Sequence, residues 1–139
     1  VKSRLNTKEF FRFEFYPDEE MTDMFYPIYP EAIYRSIKRA KDIDVPIIIT
    51  ENGIADKKDD RRRRYIERYL YAVSKAIKEG ADIRGYYYWS LMDNFEWSEG
   101  FNHRFGLVHV DFATQKRIPK RSYKWYRKFL QDEINIYQK

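Results

Sequence analysis

The sequence has no cysteine and only two histidines, His103 and His109. Without cysteine there is no disulfide scaffold and no thiolate metal site, and two histidines are too few for the usual metal ligand sets, so neither a metal nor another cofactor is expected. No run approaches the roughly 18 consecutive apolar residues of a membrane-spanning helix, and the first residues, Val1 to Asn6, lack the apolar core of a signal peptide. The expectation is a soluble, cytoplasmic chain with no membrane partner. Disorder is excluded by what is present: 43% hydrophobic and 19% aromatic residues are too many for an unfolded chain, even beside 35% charged ones. The net charge of +5 and the run Arg61 to Arg64 admit nucleic acid as a partner. That run opens an amphipathic helical pattern, so it reads instead as a solvated face paired partly with Glu67, and no nucleic acid is expected.

Along the chain, Phe11, Phe13 and Phe15 alternate as in an extended segment closed by Pro17, leaving residues 1 to 20 without further assignment. Pro30 suits a first helical position, and Ala32, Ile33, Ile37 and Ala40 continue at helical spacing, predicting a helix over 30–42. Residues 45–49 (Val-Pro-Ile-Ile-Ile) are apolar on both sides, as in a parallel strand covered on both faces, and stop at Thr50-Glu51-Asn52-Gly53. Asp59 or Asp60 can cap a second helix whose apolar set (Tyr65, Ile66, Tyr69, Leu70, Val73, Ala76, Ile77) follows a 3.6 period until Gly80. Residues 83–91 read as a second strand rich in aromatics. Strand, long helix and strand make a βαβ unit, hence an α/β fold with parallel strands. A short strand over 105–111 and a helix over 121–132 complete one continuous piece with no repeat or linker.

Glu51 stands at the carboxyl end of an isoleucine strand, where α/β folds gather ligands and catalytic groups. From that context alone it is equally a turn-capping carboxylate or a functional one. The second strand ends at Trp89, and Asp93, Asn94, Glu96 and Trp97 follow within eight residues. Indoles beside carboxylates suit a sugar, because aromatic rings stack on its C–H faces and carboxylates accept short, charge-assisted hydrogen bonds from its hydroxyls. The competing reading is that Trp89 and Trp97 are core or interface aromatics and the acids ordinary loop residues.

Two ordered motifs separate these readings. Ile49-Thr50-Glu51-Asn52-Gly53, then Tyr88-Trp89-Ser90-Leu91-Met92-Asp93-Asn94-Phe95-Glu96-Trp97 leading to Gly100, closely resemble the two signatures of glycoside hydrolase family 1. Tyr29-Pro30-Glu31 upstream resembles the same family, as do Arg104-Phe105-Gly106-Leu107, Val110-Asp111 and Pro119-Lys120 with Ser122, Trp125 and Tyr126 downstream. The resemblance covers about residues 21–132; residues 1–20 match nothing recognisable. It implies a (β/α)8 TIM barrel that hydrolyses β-glycosides with retention, with this chain its C-terminal part, carrying strands seven and eight. It further implies that Glu51 is the nucleophile, that Trp89 is the platform under the sugar, that Glu96 and the Trp97 indole bind its hydroxyls, and that Phe105 lines the pocket. Met92 replaces a common leucine, a change that conserves volume. Family members acting on 6-phosphorylated sugars carry small and cationic groups in place of this acidic stretch, so Glu96 implies an unphosphorylated glycone; glucose, galactose and fucose fit equally.

Retaining hydrolysis needs two carboxyl groups about 5–5.5 Å apart. The family's acid/base comes from an Asn-Glu-Pro motif at the end of the fourth strand, and these 139 residues contain none. A whole barrel also takes about 250 residues. The expected partner, besides a β-glycoside or oligosaccharide, is therefore the remaining N-terminal barrel portion, and the isolated chain is expected to be inactive. The alternative is a noncatalytic sugar-binding or assembly remnant.

Overall fold

The computed structural model describes residues 20–137; the extended segment expected around Phe11, Phe13 and Phe15 lies outside them. Helix α1 runs from Glu31 to Lys41, with Pro30 at its N-cap position holding φ at −61°. Glu31 in its first turn and Lys38, Arg39 and Lys41 in its last complement the helix dipole. Strand β1 follows at Ile47–Asn52, starting later and ending later than its apolar run. Glu51 is therefore the penultimate strand residue rather than the residue that ends the strand.

Helix α2 spans Arg62–Lys78 and buries Tyr65, Ile66, Tyr69, Ala72, Val73 and Ala76 along one stripe. Each large apolar side chain buried there contributes about 1.5–3 kcal/mol. The helix stops where Gly80 adopts φ of 86°, a conformation glycine enters without steric cost. Its cap differs from the expectation, because neither Asp59 nor Asp60 takes the free N–H groups. The Asp56 carboxylate accepts from the Arg61 and Arg62 amides at 3.0 and 2.9 Å, freeing Asp59 to bind the Arg62 guanidinium and Ser122.

Strand β2, Ile83–Tyr88, pairs in parallel with β1, with Ile47 opposite Ile83, Ile49 opposite Tyr86 and Asn52 opposite Tyr88. The right reading of the βαβ unit thus carries over, but β2 ends three residues early. Beyond Trp89 the chain changes partners: Leu107 N–H donates to Ser90 O at 2.9 Å and Val108 N–H to Leu91 O at 2.9 Å. A hairpin of β3 (Val108–Val110) and β4 (Arg117–Pro119) follows, and helix α3 (Arg121–Tyr137) closes the chain.

One core lies between α2, Ile28, Ile54 and Leu107, with Tyr123, Trp125 and Tyr126 of α3 against it. The other joins Ile37 of α1 and Val73 and Ala76 of α2 to Ile47, Ile49, Ile83 and Tyr86 of the sheet. Both helices therefore cover the same side of the strands. The expectation of a strand covered on both faces fails here: Ile48 is 55% exposed and Tyr87 62%, because the described residues offer nothing to pack on that side. The arginine run also departs from a solvated face. Arg63 pairs with Glu67 at 2.9 Å as expected, but Arg62 is completely buried, and Arg61 binds Asp23 and Asp56.

Candidate active site

Parallel pairing sends β1 and β2 out at the same edge of the sheet. Asn52 O accepts the Trp89 N–H at 3.0 Å, so Glu51 and Trp89 leave the sheet side by side. The Asn52 side chain is fixed by Tyr86, whose hydroxyl donates to Asn52 Oδ1 at 2.8 Å. Gly53 explains why the turn ends as it does: a Cβ at this position would lie 1.6 Å from the Trp89 carbonyl oxygen. Only glycine allows the two exits to come this close. Glu51 itself is exposed, with its carboxylate free to meet a ligand.

From Trp89, joined to Ser90 by a cis peptide bond, the chain enters the acidic aromatic loop. That loop is built around Asp93, whose side chain is wholly buried. Its carboxylate accepts from Gly106 N–H at 2.9 Å, Lys120 Nζ at 2.9 Å and Val110 N–H at 3.3 Å, with Arg104 and His109 nitrogens at 3.5 and 3.4 Å. Burial lowers the Lys120 pKa and Asp93 opposes that shift. The sequence groups Asp93 with the carboxylates that suit a sugar, but its burial takes it away from any ligand. It is the post to which the loop, the hairpin and the start of α3 are tied, and the signal was the basic cluster Arg104, His109 and Lys120 downstream.

Glu96 is half-buried, and its Oε1 is buried without a hydrogen-bond partner. Desolvation raises its pKa, while hydrogen bonding by the Trp89 side chain and the charge of His103 pull the other way. Trp89 and Glu96 are thus together. Trp97 is not drawn in with them: it is 85% exposed, at φ of 45° in a single 3-10 turn, Trp97–Glu99. Phe105 is placed by its backbone, its carbonyl accepting from Tyr88 Oη at 3.2 Å and Ser90 N–H at 3.4 Å. The structure therefore gathers Glu51, Trp89, Glu96 and Phe105 at one end of the β1–β2 pair, with Trp97 standing out from it.

These residues form an open surface. A groove of about 560 Å³ between α1 and α2, lined by Tyr29, Tyr34, Tyr71 and Lys75, contains none of them. Glu51 instead lines a smaller groove of about 330 Å³ along β1, shared with Ile33, Ser36, Ile37 and Ala40 of α1. Among the described residues no cluster of histidine, aspartate and glutamate is arranged to hold a metal ion, and no helix is long and apolar enough to cross a membrane.

Comparison with known proteins gives this geometry its context. The chain is 44% identical over 126 residues to a bifunctional beta-D-glucosidase/beta-D-fucosidase of Bifidobacterium breve, covering 80% of this chain and 27% of that protein. It is 48% identical over 119 residues to a 6-phospho-beta-galactosidase of Leptotrichia buccalis, covering 77% and 25%. Among solved structures, a family 1 β-glucosidase from Thermotoga maritima superposes with a TM-score of 0.79 at 40% identity, over 84% of this chain and 29% of the other. The chain thus spans about a quarter of the length of the curated relatives it matches. Its α/β architecture is part of a (β/α)8 barrel, with β1 and β2 as the barrel's last two strands. The family model for glycosyl hydrolase family 1 matches residues 2–134, which corrects the reading that residues 1–20 match nothing. With that match over nearly its whole length, the chain belongs to glycosyl hydrolase family 1.

Proposed function

We propose that this chain supplies the nucleophile and the glycone-binding residues of a retaining β-glycosidase whose acid/base comes from the remaining barrel portion. The observation that carries the reading is the joint delivery of Glu51 and Trp89 to one sheet edge, beside a Glu96 oxygen that is buried and unpartnered. Glu51 attacks the anomeric carbon and forms a glycosyl ester while a second carboxylic acid protonates the departing oxygen; water then cleaves the ester. Trp89 stacks under the sugar ring. Glu96 accepts hydroxyl hydrogen bonds, which satisfy its orphan oxygen and offset the desolvation that raises its pKa. Trp97 and Phe105 complete the glycone pocket, Trp97 turning inward once the uncovered face is occupied.

The glycone in this proposal is unphosphorylated. Relatives named for phosphorylated and for unphosphorylated sugars match at similar identity, so overall likeness does not discriminate between them. Glu96 does, because a half-buried carboxylate repels a phosphate. The test is hydrolysis of a chromogenic β-glucoside and its 6-phosphate by this chain alone, by the complementary barrel portion alone, and by their mixture. Turnover of the β-glucoside by the mixture only is expected. Activity of this chain alone, or preference for the 6-phosphate, refutes the corresponding part. Replacing Glu51 with Gln in the active mixture must abolish turnover; normal turnover removes Glu51 from its role.

The Trp97 indole, 85% exposed and standing out from the gathered residues, favours a second reading, a noncatalytic sugar-binding or assembly remnant of a glycosidase. Calorimetric binding of glucose or cellobiose without turnover in any mixture distinguishes it.

A further inference from the structure

The completely buried Arg62 touches no candidate for sugar chemistry, yet its hydrogen bonds run to the segments that carry three of them, Glu51, Trp89 and Phe105. Its Nε donates to Tyr88 Oη at 3.0 Å, and Tyr88 is the residue before Trp89. Its Nη2 donates to Arg104 O, just before Phe105, and to Asp56 O, five residues beyond Glu51, both at 2.7 Å. Its Nη1 binds Asp59, which also holds Ser122 at the start of α3. The Tyr88 hydroxyl passes the connection on by donating to Phe105 O at 3.2 Å. A planar guanidinium with five fixed donors can hold these acceptors at set angles, which a flexible ammonium cannot.

We propose that Arg62 is a positioning residue that fixes the spacing between the Glu51 exit of β1 and the Trp89 and Phe105 exits beside it. Its charge is never spent on a ligand. It ties the β1–α2 turn, the end of β2 and the returning 104–105 segment to a single group, so a shift in any one is transmitted to the others. The proposal rests on the functional reading above only where it concerns catalysis; the spacing itself is a property of this chain.

The experiment uses Arg62→Lys and the milder Tyr88→Phe, which removes only the Arg62–Tyr88–Phe105 relay. In the isolated chain, cooperative unfolding is measured together with the indole N–H resonances of the three tryptophans, assigned by substitution. Both variants are expected to unfold cooperatively and to displace the Trp89 indole resonance while leaving that of the exposed Trp97 unmoved. In the barrel completed by its complementary portion, kcat is expected to fall by roughly 10²-fold, the penalty of an ångström-scale misplacement, with KM changing much less. An unmoved Trp89 resonance in Tyr88→Phe overturns the proposal. So does a uniform loss of structure in both variants, which marks Arg62 as a plain stabilising residue. If the completed wild-type barrel is inactive, the catalytic reading fails, and the Trp89 resonance still decides on the positioning role.

Discussion

Replacing Gly53 with Ala should separate the ends of β1 and β2 and destabilise the fold through an overlap that no side-chain movement relieves. The added Cβ lies 1.6 Å from Trp89 O, and that oxygen belongs to the backbone, so no side chain can swing aside. Reaching even 3.0 Å, below which real Cβ contacts essentially never occur, requires the segments to part by about 1.4 Å. Such a movement breaks the 3.0 Å bond from Trp89 N–H to Asn52 O. Overpacking costs roughly 1–3 kcal/mol and a lost hydrogen bond about 0.5–1.5 kcal/mol, together about 1.5–4.5 kcal/mol. That is a large share of a domain stability of about 5–15 kcal/mol. A second variant, Gly100→Ala, meets nothing within 4 Å and carries only the strain of φ 60° with ψ −126°, about 1–3 kcal/mol with the β1–β2 pairing intact. Urea unfolding of the chain followed by tryptophan fluorescence measures both, with an unchanged slope confirming that stability alone has moved. A Gly53→Ala protein within about 0.5 kcal/mol of wild type refutes the close-approach account.

Asp93→Asn leaves the buried Lys120 ammonium without its 2.9 Å counterion and should cost about 3–5 kcal/mol, with Lys120→Met recovering part of the loss in a double-mutant cycle. Ile66→Ala, at a fully buried position, should cost about 2–5 kcal/mol, whereas Ile48→Ala, at a side chain 55% exposed, should cost much less; equal losses by urea titration would show that the outer sheet face is covered. The folded state raises the Glu96 pKa, through burial first, above its ordinary 4.5. Stability from the protonated form is therefore fully present below that value and lost as pH rises through the folded pKa. Glu96→Gln should flatten this part of the pH–stability curve, and an unaltered curve would place the titration elsewhere. Asp56 behaves oppositely: burial raises its pKa, but the Arg61 and Arg62 amides and charges overcome burial and hold it below 3.8. Its stabilisation is present above 3.8 and lost as pH falls through the folded value, so Asp56→Asn should remove part of the acid-induced unfolding.

Local chemistry was enough to read the order of elements. The 3.6-residue stripe from Tyr65 to Ala76 and the isoleucine run before Glu51 each answer to a period that the chain sets over a few residues, whereas Ile77, expected in that stripe, is 48% exposed. The pairing of Glu51 with Trp89 was also legible, because parallel strands joined by one helix must present their carboxyl ends together. Charge was less so. Arg62, one of four consecutive arginines, looks no different from Arg63, yet one is fully buried and the other pairs at the surface with Glu67. That division depends on acceptors at Asp56, Tyr88 and Arg104, up to 42 residues away, which no local pattern contains. The same holds for Asp93, whose partners arrive from the hairpin and α3, and for Gly53, whose necessity comes from a carbonyl 36 positions on. Sequence by itself determined which side chains are available and at which end of which strand they emerge, since period and propensity act over one or two turns. Tertiary structure alone decided which charges are buried and which backbones touch, because burial and close approach are relations between segments distant in the chain.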